Sequence, residues 1–369
     1  MSQPWIDSPR IDGAFILAPA LVITALLLCF QQTIGDIDTM PIWMWGVLVI
    51  GVDVAHVYST LFRTYADPEE FRARRVLYTL VPLACWAIGT ILYSIDPLWF
   101  WRTIAYLAVF HFVRQQYGLM MIYRRNERGQ PRWFATIDKA TIYMATLYPL
   151  IYWHTHLPRQ FEWFIAHDFI AIRAQWLAPV ALWIYAALLV AYVGKELWQL
   201  KQPRRFNLPK NLLMLGTAAS WWVGIVAFDS DIAFTAANVL AHGIPYMALI
   251  WIYGRNQSRI QPEKQLAHAV TLRRFFTRAW LPVFIGLLVL LAYVEEGLWD
   301  ALVWTEHRGV FAPFGFLPAI EGKETLALLV PLLALPQLTH YALDGFIWRL
   351  KTPGTDWKRI LFYNAGQAT

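Results

Sequence analysis

Apolar residues run along this chain in long unbroken blocks, without the spaced stripes that mark water-facing helices. Ten blocks reach the ~20 mostly apolar residues that a spanning helix needs. They cover 13–33, 41–63, 75–95, 98–123, 138–157, 175–198, 210–229, 231–254, 277–297 and 324–349. Basic residues fill alternate connections. Arg10 and the stretches after spans two, four, six, eight and ten carry 25 of the 31 Lys and Arg residues. The opposite connections hold only Arg102, Arg159, Arg173, Arg308 and Lys323, and Arg114 lies within a span. By the positive-inside rule this alternation predicts an all-α, polytopic membrane helix bundle of about ten transmembrane helices, with both termini cytoplasmic. The expected organisation is one integral membrane domain over residues 1–369, multi-pass in the inner (plasma) membrane. The first thirteen residues lack a basic n-region and no small-residue cleavage motif follows, so the first block reads as a retained span.

Composition supports this reading. Hydrophobic residues make up 58% and charged residues 15% of the chain, against about 25% charged in soluble domains. Disorder and a disulfide-rich scaffold are thereby excluded. The net charge of +6 comes from loop residues that act as topology signals, so no nucleic-acid partner is expected. Cys29 and Cys85 lie singly in apolar runs and offer no metal-binding spacing. Two external connections are long and aromatic. Residues 158–174 are expected to form a short interfacial helix, and 298–323 a lid or a second interfacial segment.

The informative polar residues are histidines. His154, His156, His167 and His307 fall at or beyond external span ends, and His268 in a cytoplasmic loop. His56, His111, His242 and His340 lie within spans two, four, eight and ten, which all run in one direction. They sit 7, 13, 13 and 9 residues from the cytoplasmic basic residue of their span, or roughly 10, 20, 20 and 14 Å deep. Ionisable groups at such depth are costly and usually face a bundle interior. Four in one slab point to a shared metal, and imidazole suits zinc, copper and iron. Asp53 at i−3 from His56 and Asp344 at i+4 from His340 read as carboxylates that orient the imidazoles or bind the metal themselves. Arg114, one turn from His111, either snorkels or holds a carboxylate in a cavity. Tyr246, one turn from His242, adds to a polar stripe lining a pocket for a large apolar molecule.

Several of these segments resemble the Brp/Blh-type bacterial beta-carotene dioxygenases. Leu335 to Arg349, with His340 and Asp344, resembles that family's last helix. Phe110-His111-Phe112 resembles its Ile-His-Phe-Gly segment, and Gly51 to His56 and the stretch around His242 are looser matches in the same order. The resemblance implies a non-heme iron centre held by histidines and oxidative cleavage of a polyene with O2. Ala55-His56-Val57 stands where the family has Pro-His-Gly, and Val113-Arg114-Gln115 departs from its Gly and Asp, so the substrate is the weakest part of the transfer.

The leading expectation is therefore a membrane-embedded iron (Fe2+) oxygenase, with zinc and copper still open as the metal. It would take a hydrophobic, polyene- or fatty-acyl-like substrate from the bilayer lipids, with O2 as co-substrate; an electron-donor protein would be a further partner. A di-metal fatty acyl hydroxylase or desaturase would use Asp53 and Asp344 as extra ligands, although the HxxHH boxes of that class are absent. A His/Asp proton-coupled transporter and a haem electron-transfer protein are the readings from other classes.

Overall fold

A computed structural model describes residues 3–35, 37, 39–127, 129–202, 206–260, 274–348 and 357–363. His268 and the basic residues Arg128, Arg204, Arg205, Lys264, Arg273, Arg349 and Lys351, all expected on the cytoplasmic side, lie outside the described residues. The described residues are helical or irregular, with no strand among them.

Among the described residues, six helices are long and apolar enough to cross a membrane: α1 (Pro9–Cys29), α2 (Ile42–Arg63), α3 (Arg75–Ile95), α6 (Leu177–Leu200), α8 (Asp231–Ile260) and α9 (Arg278–Trp304). The pair α10 (Lys323–Leu333) and α11 (Leu335–Ile347), bent by 45°, is long and apolar enough to make a seventh if the two helices act as one span. Pro336 in the first turn of α11 has no N–H for the ladder and crowds the preceding turn, which accounts for a break where one span was expected. Three further expected spans form helices: α4 (Pro97–Tyr123), α5 (Arg132–Thr155) and α7, which joins Leu208–Trp221 to Trp222–Ala227. They are more polar than the six. α4 carries Arg102, His111, Arg114, Gln115 and Gln116, and α5 carries Asp138 and Lys139. Several helices leave large apolar side chains uncovered, among them Trp183 at 77% and Val190 at 73% exposed. Water would penalise such a surface and a bilayer does not.

Sequence-local signals set the helix starts. Ser8 caps α1 with Pro9 in its first turn. Asp96 accepts from the N–H of Leu98 ahead of α4. Asn207 accepts from the N–H of Lys210 ahead of α7. Each side chain satisfies an N–H that has no carbonyl partner within its helix.

The chain divides into two compact units. One comprises Met1–Pro41, Val109–Pro245 and Phe362–Thr369. Here α5 packs on α6 through Ala145, Tyr148, Ala181 and Tyr185. α1, α7 and the start of α8 share the cluster Leu27, Val223, Ala233 and Ala237. Close approach is required at Gly224, where a Cβ would meet the Ala237 Cβ at 2.7 Å and the Ala233 carbonyl oxygen at 3.3 Å. Gly224→Ala is expected to cost about 1–3 kcal/mol through overpacking, read as a lower thermal midpoint in detergent. Asp12, fully buried, accepts from the N–H groups of Ile6, Asp7 and Ser8 and from the Tyr123 hydroxyl, which ties the N-terminal turn to α4.

This unit also holds a buried ionic network. Asp138 pairs with Lys195, with Arg124 at 2.8 Å and with Lys210 at 3.5 Å. Glu196 bridges Lys195 and Lys210, each at 2.7 Å. Glu127 lies 2.9 Å from Lys210 and 3.0 Å from Arg124. Three acids face three bases, so the network is neutral overall. Residues 158–174 form no helix, contrary to the sequence expectation. The Asp168 carboxylate accepts from the N–H groups of Trp163, Phe164 and Ile165 and closes a turn instead. Phe161 and Phe169 are buried against Trp153, where an interfacial helix would have laid them along the surface.

The second unit comprises Ile42–Ala108 and Tyr246–Leu361. α3 packs on α10, and on α11 through Tyr78, Leu343 and Ile347. Buried Arg63 at the end of α2 pairs with Glu70 at 3.2 Å and lies over the Tyr253 ring. The segment after α9 folds back on its own unit. His307 and Phe311 pack on Trp45, and Tyr293 donates to the Val310 carbonyl.

Candidate functional site

Each unit contains one pair of the four deep histidines, and all four are buried. In the first unit, α4 presents His111 and α8 presents His242. Their Nε2 atoms stand 3.2 Å apart, with ring centroids at 4.8 Å and planes crossing at 81°. Two imidazole nitrogens on one ion at ~2.0–2.1 Å would stand roughly 2.9–3.4 Å apart for inter-ligand angles of about 90–109°. The observed separation fits that range, and it equally suits an N–H···N hydrogen bond in metal-free protein.

The surroundings hold this pair in place. Phe112 stacks on the His242 ring at 3.7 Å and 12°, and Trp163 from the loop after α5 packs edge-on against Phe112. Gln115 donates to the His242 carbonyl oxygen, and Gln116 links the Ala241 carbonyl to the Thr217 hydroxyl. Asn238, one turn above His242, donates to the Phe234 carbonyl.

In the second unit, α2 presents His56 and α11 presents His340, with ring centroids at 5.0 Å and planes at 80°. This repeats the mutual geometry of the first pair. His56 follows a nine-residue π-helical stretch, Gly46–Val54. Such widened turns re-aim side chains and recur at functional sites. Asp53 lies inside the stretch, its Oδ1 3.8 Å from His56 Nδ1, beyond hydrogen-bonding reach. The Nδ1 contact runs to the Val52 carbonyl at 3.3 Å instead.

Asp344 reaches His340 indirectly. Its Oδ1 accepts from the Tyr246 hydroxyl at 2.5 Å. Tyr246 is 3.0 Å from Thr60 Oγ1, which is 2.7 Å from His340 Nδ1. Spacing placed Asp344 beside His340; the structure interposes two hydroxyls.

Arg114 is exposed. Its guanidinium donates to the Tyr143 hydroxyl at 2.6 Å and lies over the Tyr117 ring. Nothing in this placement calls for an anionic substrate head. His154 and His156 each direct Nδ1 to a carbonyl one turn back, those of Leu150 and Tyr152.

Two groups escaped the sequence reading. Thr60 is one; a threonine in an apolar helix gives no signal by type or spacing. Glu295 is the other, buried in α9 against Tyr58 and Trp299. Its signal was present, since the Glu295-Glu296 pair interrupts an apolar run and a search of the spans for acids would have found it.

The chain matches no protein-family profile, no curated protein and no solved structure.

Proposed function

We propose that this chain is an inner-membrane, ten-span, metal-dependent oxygenase that acts with O2 on a lipid-soluble substrate. His56, His111, His242 and His340 would hold one non-heme iron. The supporting observation is the pairing itself. Two separate pairs of buried imidazoles adopt the same crossed geometry, and one has the nitrogen separation of two ligands on one ion. Among the described residues, these four are also the group of His, Cys, Asp or Glu side chains able to offer ligand atoms to an ion. An all-imidazole donor set suits iron, copper or zinc, and the resemblance to the polyene-cleaving dioxygenases favours iron.

Iron in such a site would bind and activate O2. The protein's own residues bind and orient. The Phe112 stack fixes the plane of the His242 ring, and the Val52 carbonyl fixes that of His56. Phe112, Trp163, Trp153 and Phe234 form an aromatic column from the external loop to His242 that excludes water from that side. A hydrocarbon chain would arrive from the bilayer, where the helices are apolar on their outer faces.

The test is O2 uptake by purified, iron-loaded protein in lipid nanodiscs, supplied with a C40 polyene or with a free fatty acid. Uptake with cleavage of the polyene supports the reading. Hydroxylation or desaturation of the fatty acid would move it to the di-metal class, and no turnover of either class would remove the oxygenase assignment. Arg114→Gln is expected to leave iron content and KM for the polyene unchanged, because its guanidinium sits on two tyrosines at the exposed side of α4.

A further inference from the structure

The second unit contains a one-directional hydrogen-bond chain ending on a histidine. The Tyr246 hydroxyl donates its single proton to Asp344 Oδ1. The phenol oxygen can then only accept from Thr60. Thr60, its one proton spent, can only accept at 2.7 Å from His340, which must carry its proton on Nδ1. Thr60, Tyr246 and His340 are all buried, so water does not offer the chain alternative partners.

We infer that Thr60 and Tyr246 are positioning residues that lock His340 in the Nδ1–H tautomer and leave Nε2 as the bare nitrogen for a ligand. His56 reaches the same state by a shorter route, because the Val52 carbonyl opposite its Nδ1 can only accept. A neutral imidazole is a ligand through its unprotonated nitrogen alone, and an outer partner on the other nitrogen sets which one that is. The device spares Asp344 from touching the imidazole. Two short hydroxyls carry the carboxylate's polarity across a gap that the side chain of Asp344 does not bridge. The tautomer claim stands on the hydrogen-bond chain alone; its consequence for a metal rests on the function proposed above.

The experiment is 15N spectroscopy of metal-stripped, 15N-histidine-labelled full-length protein, with the His340 signals assigned by difference against His340→Gln. Wild type should show Nδ1 protonated and Nε2 bare at neutral pH. Thr60→Val, which keeps shape and removes the acceptor, should mix or reverse the tautomers, whereas Thr60→Ser should preserve the wild-type pattern. Asp344→Asn, whose amide oxygen still accepts, should also preserve it. Zn2+ competition against a chelator should show affinity falling roughly 10–100-fold in Thr60→Val and Tyr246→Phe, with Thr60→Ser within about threefold of wild type. A wild-type His340 protonated on Nε2 overturns the proposal. So does a folded Thr60→Val variant with unchanged tautomer. If wild type shows the Nδ1–H form yet binds no Zn2+, this inference holds and the metal reading falls.

Discussion

His340→Ala protein, purified at wild-type yield, is expected to retain no stoichiometric iron. The same holds for alanine at His56, His111 or His242. Each substitution deletes a donor nitrogen and leaves a void that water fills with weaker, unoriented ligation. The loss should exceed the roughly 10–100-fold that removal of an outer partner costs. Asp53→Asn and Asp344→Asn mark that smaller scale, since Asp53 lies 3.8 Å from His56 Nδ1 and Asp344 acts through Tyr246 and Thr60. Metal analysis after chelator washing checks both levels. Complete loss of iron in either Asn variant would make the carboxylate a direct ligand and favour the di-metal reading.

The other large effect lies in the ionic network of the first unit. Asp138→Ala leaves the buried Lys195 without its nearest acid and removes one of two carboxylates from Arg124. Removing one member of a buried ion pair costs about 3–5 kcal/mol, because the remaining charge stays desolvated. That is a large share of a membrane helix unit's stability, so the variant should show a strongly lowered thermal midpoint and reduced yield. Asp138→Asn should do less harm, since the amide still accepts from Lys195. Equal midpoints for wild type and Asp138→Ala would mean that the network contributes little.

The helical class was legible because apolar blocks of span length have few other solutions. The deep histidines stood out for a related reason, since an imidazole is conspicuous where nearly every neighbour is aliphatic. What could not be read is what depends on tertiary packing. Asp138 finds Lys195 across 57 residues and Thr60 finds His340 across 280, and no local pattern encodes either meeting. Helical spacing gave Asp344 a shared face with His340 and said nothing of the Tyr246 and Thr60 hydroxyls that arrive from other helices. Asp53 comes within 3.8 Å of His56 Nδ1 from inside the π-helical stretch Gly46–Val54, which no spacing in the sequence announces. Residues 158–174 misled in another way. Their aromatics suited an interfacial helix, but the Asp168 turn and the pocket beside Trp153 took Phe161 and Phe169 inside.

The central claim is one metal on four imidazoles, and X-ray absorption at the iron edge of protein purified without added metal tests it most directly. The expected result is about one iron per chain, a first shell of nitrogen and oxygen at ~2.0–2.2 Å, and the outer-shell scattering of several imidazole rings. That ring signal should vanish together with the metal in His→Ala protein. Sulfur in the first shell, a porphyrin signature, a short metal–metal vector, or no metal in folded wild-type protein would contradict it.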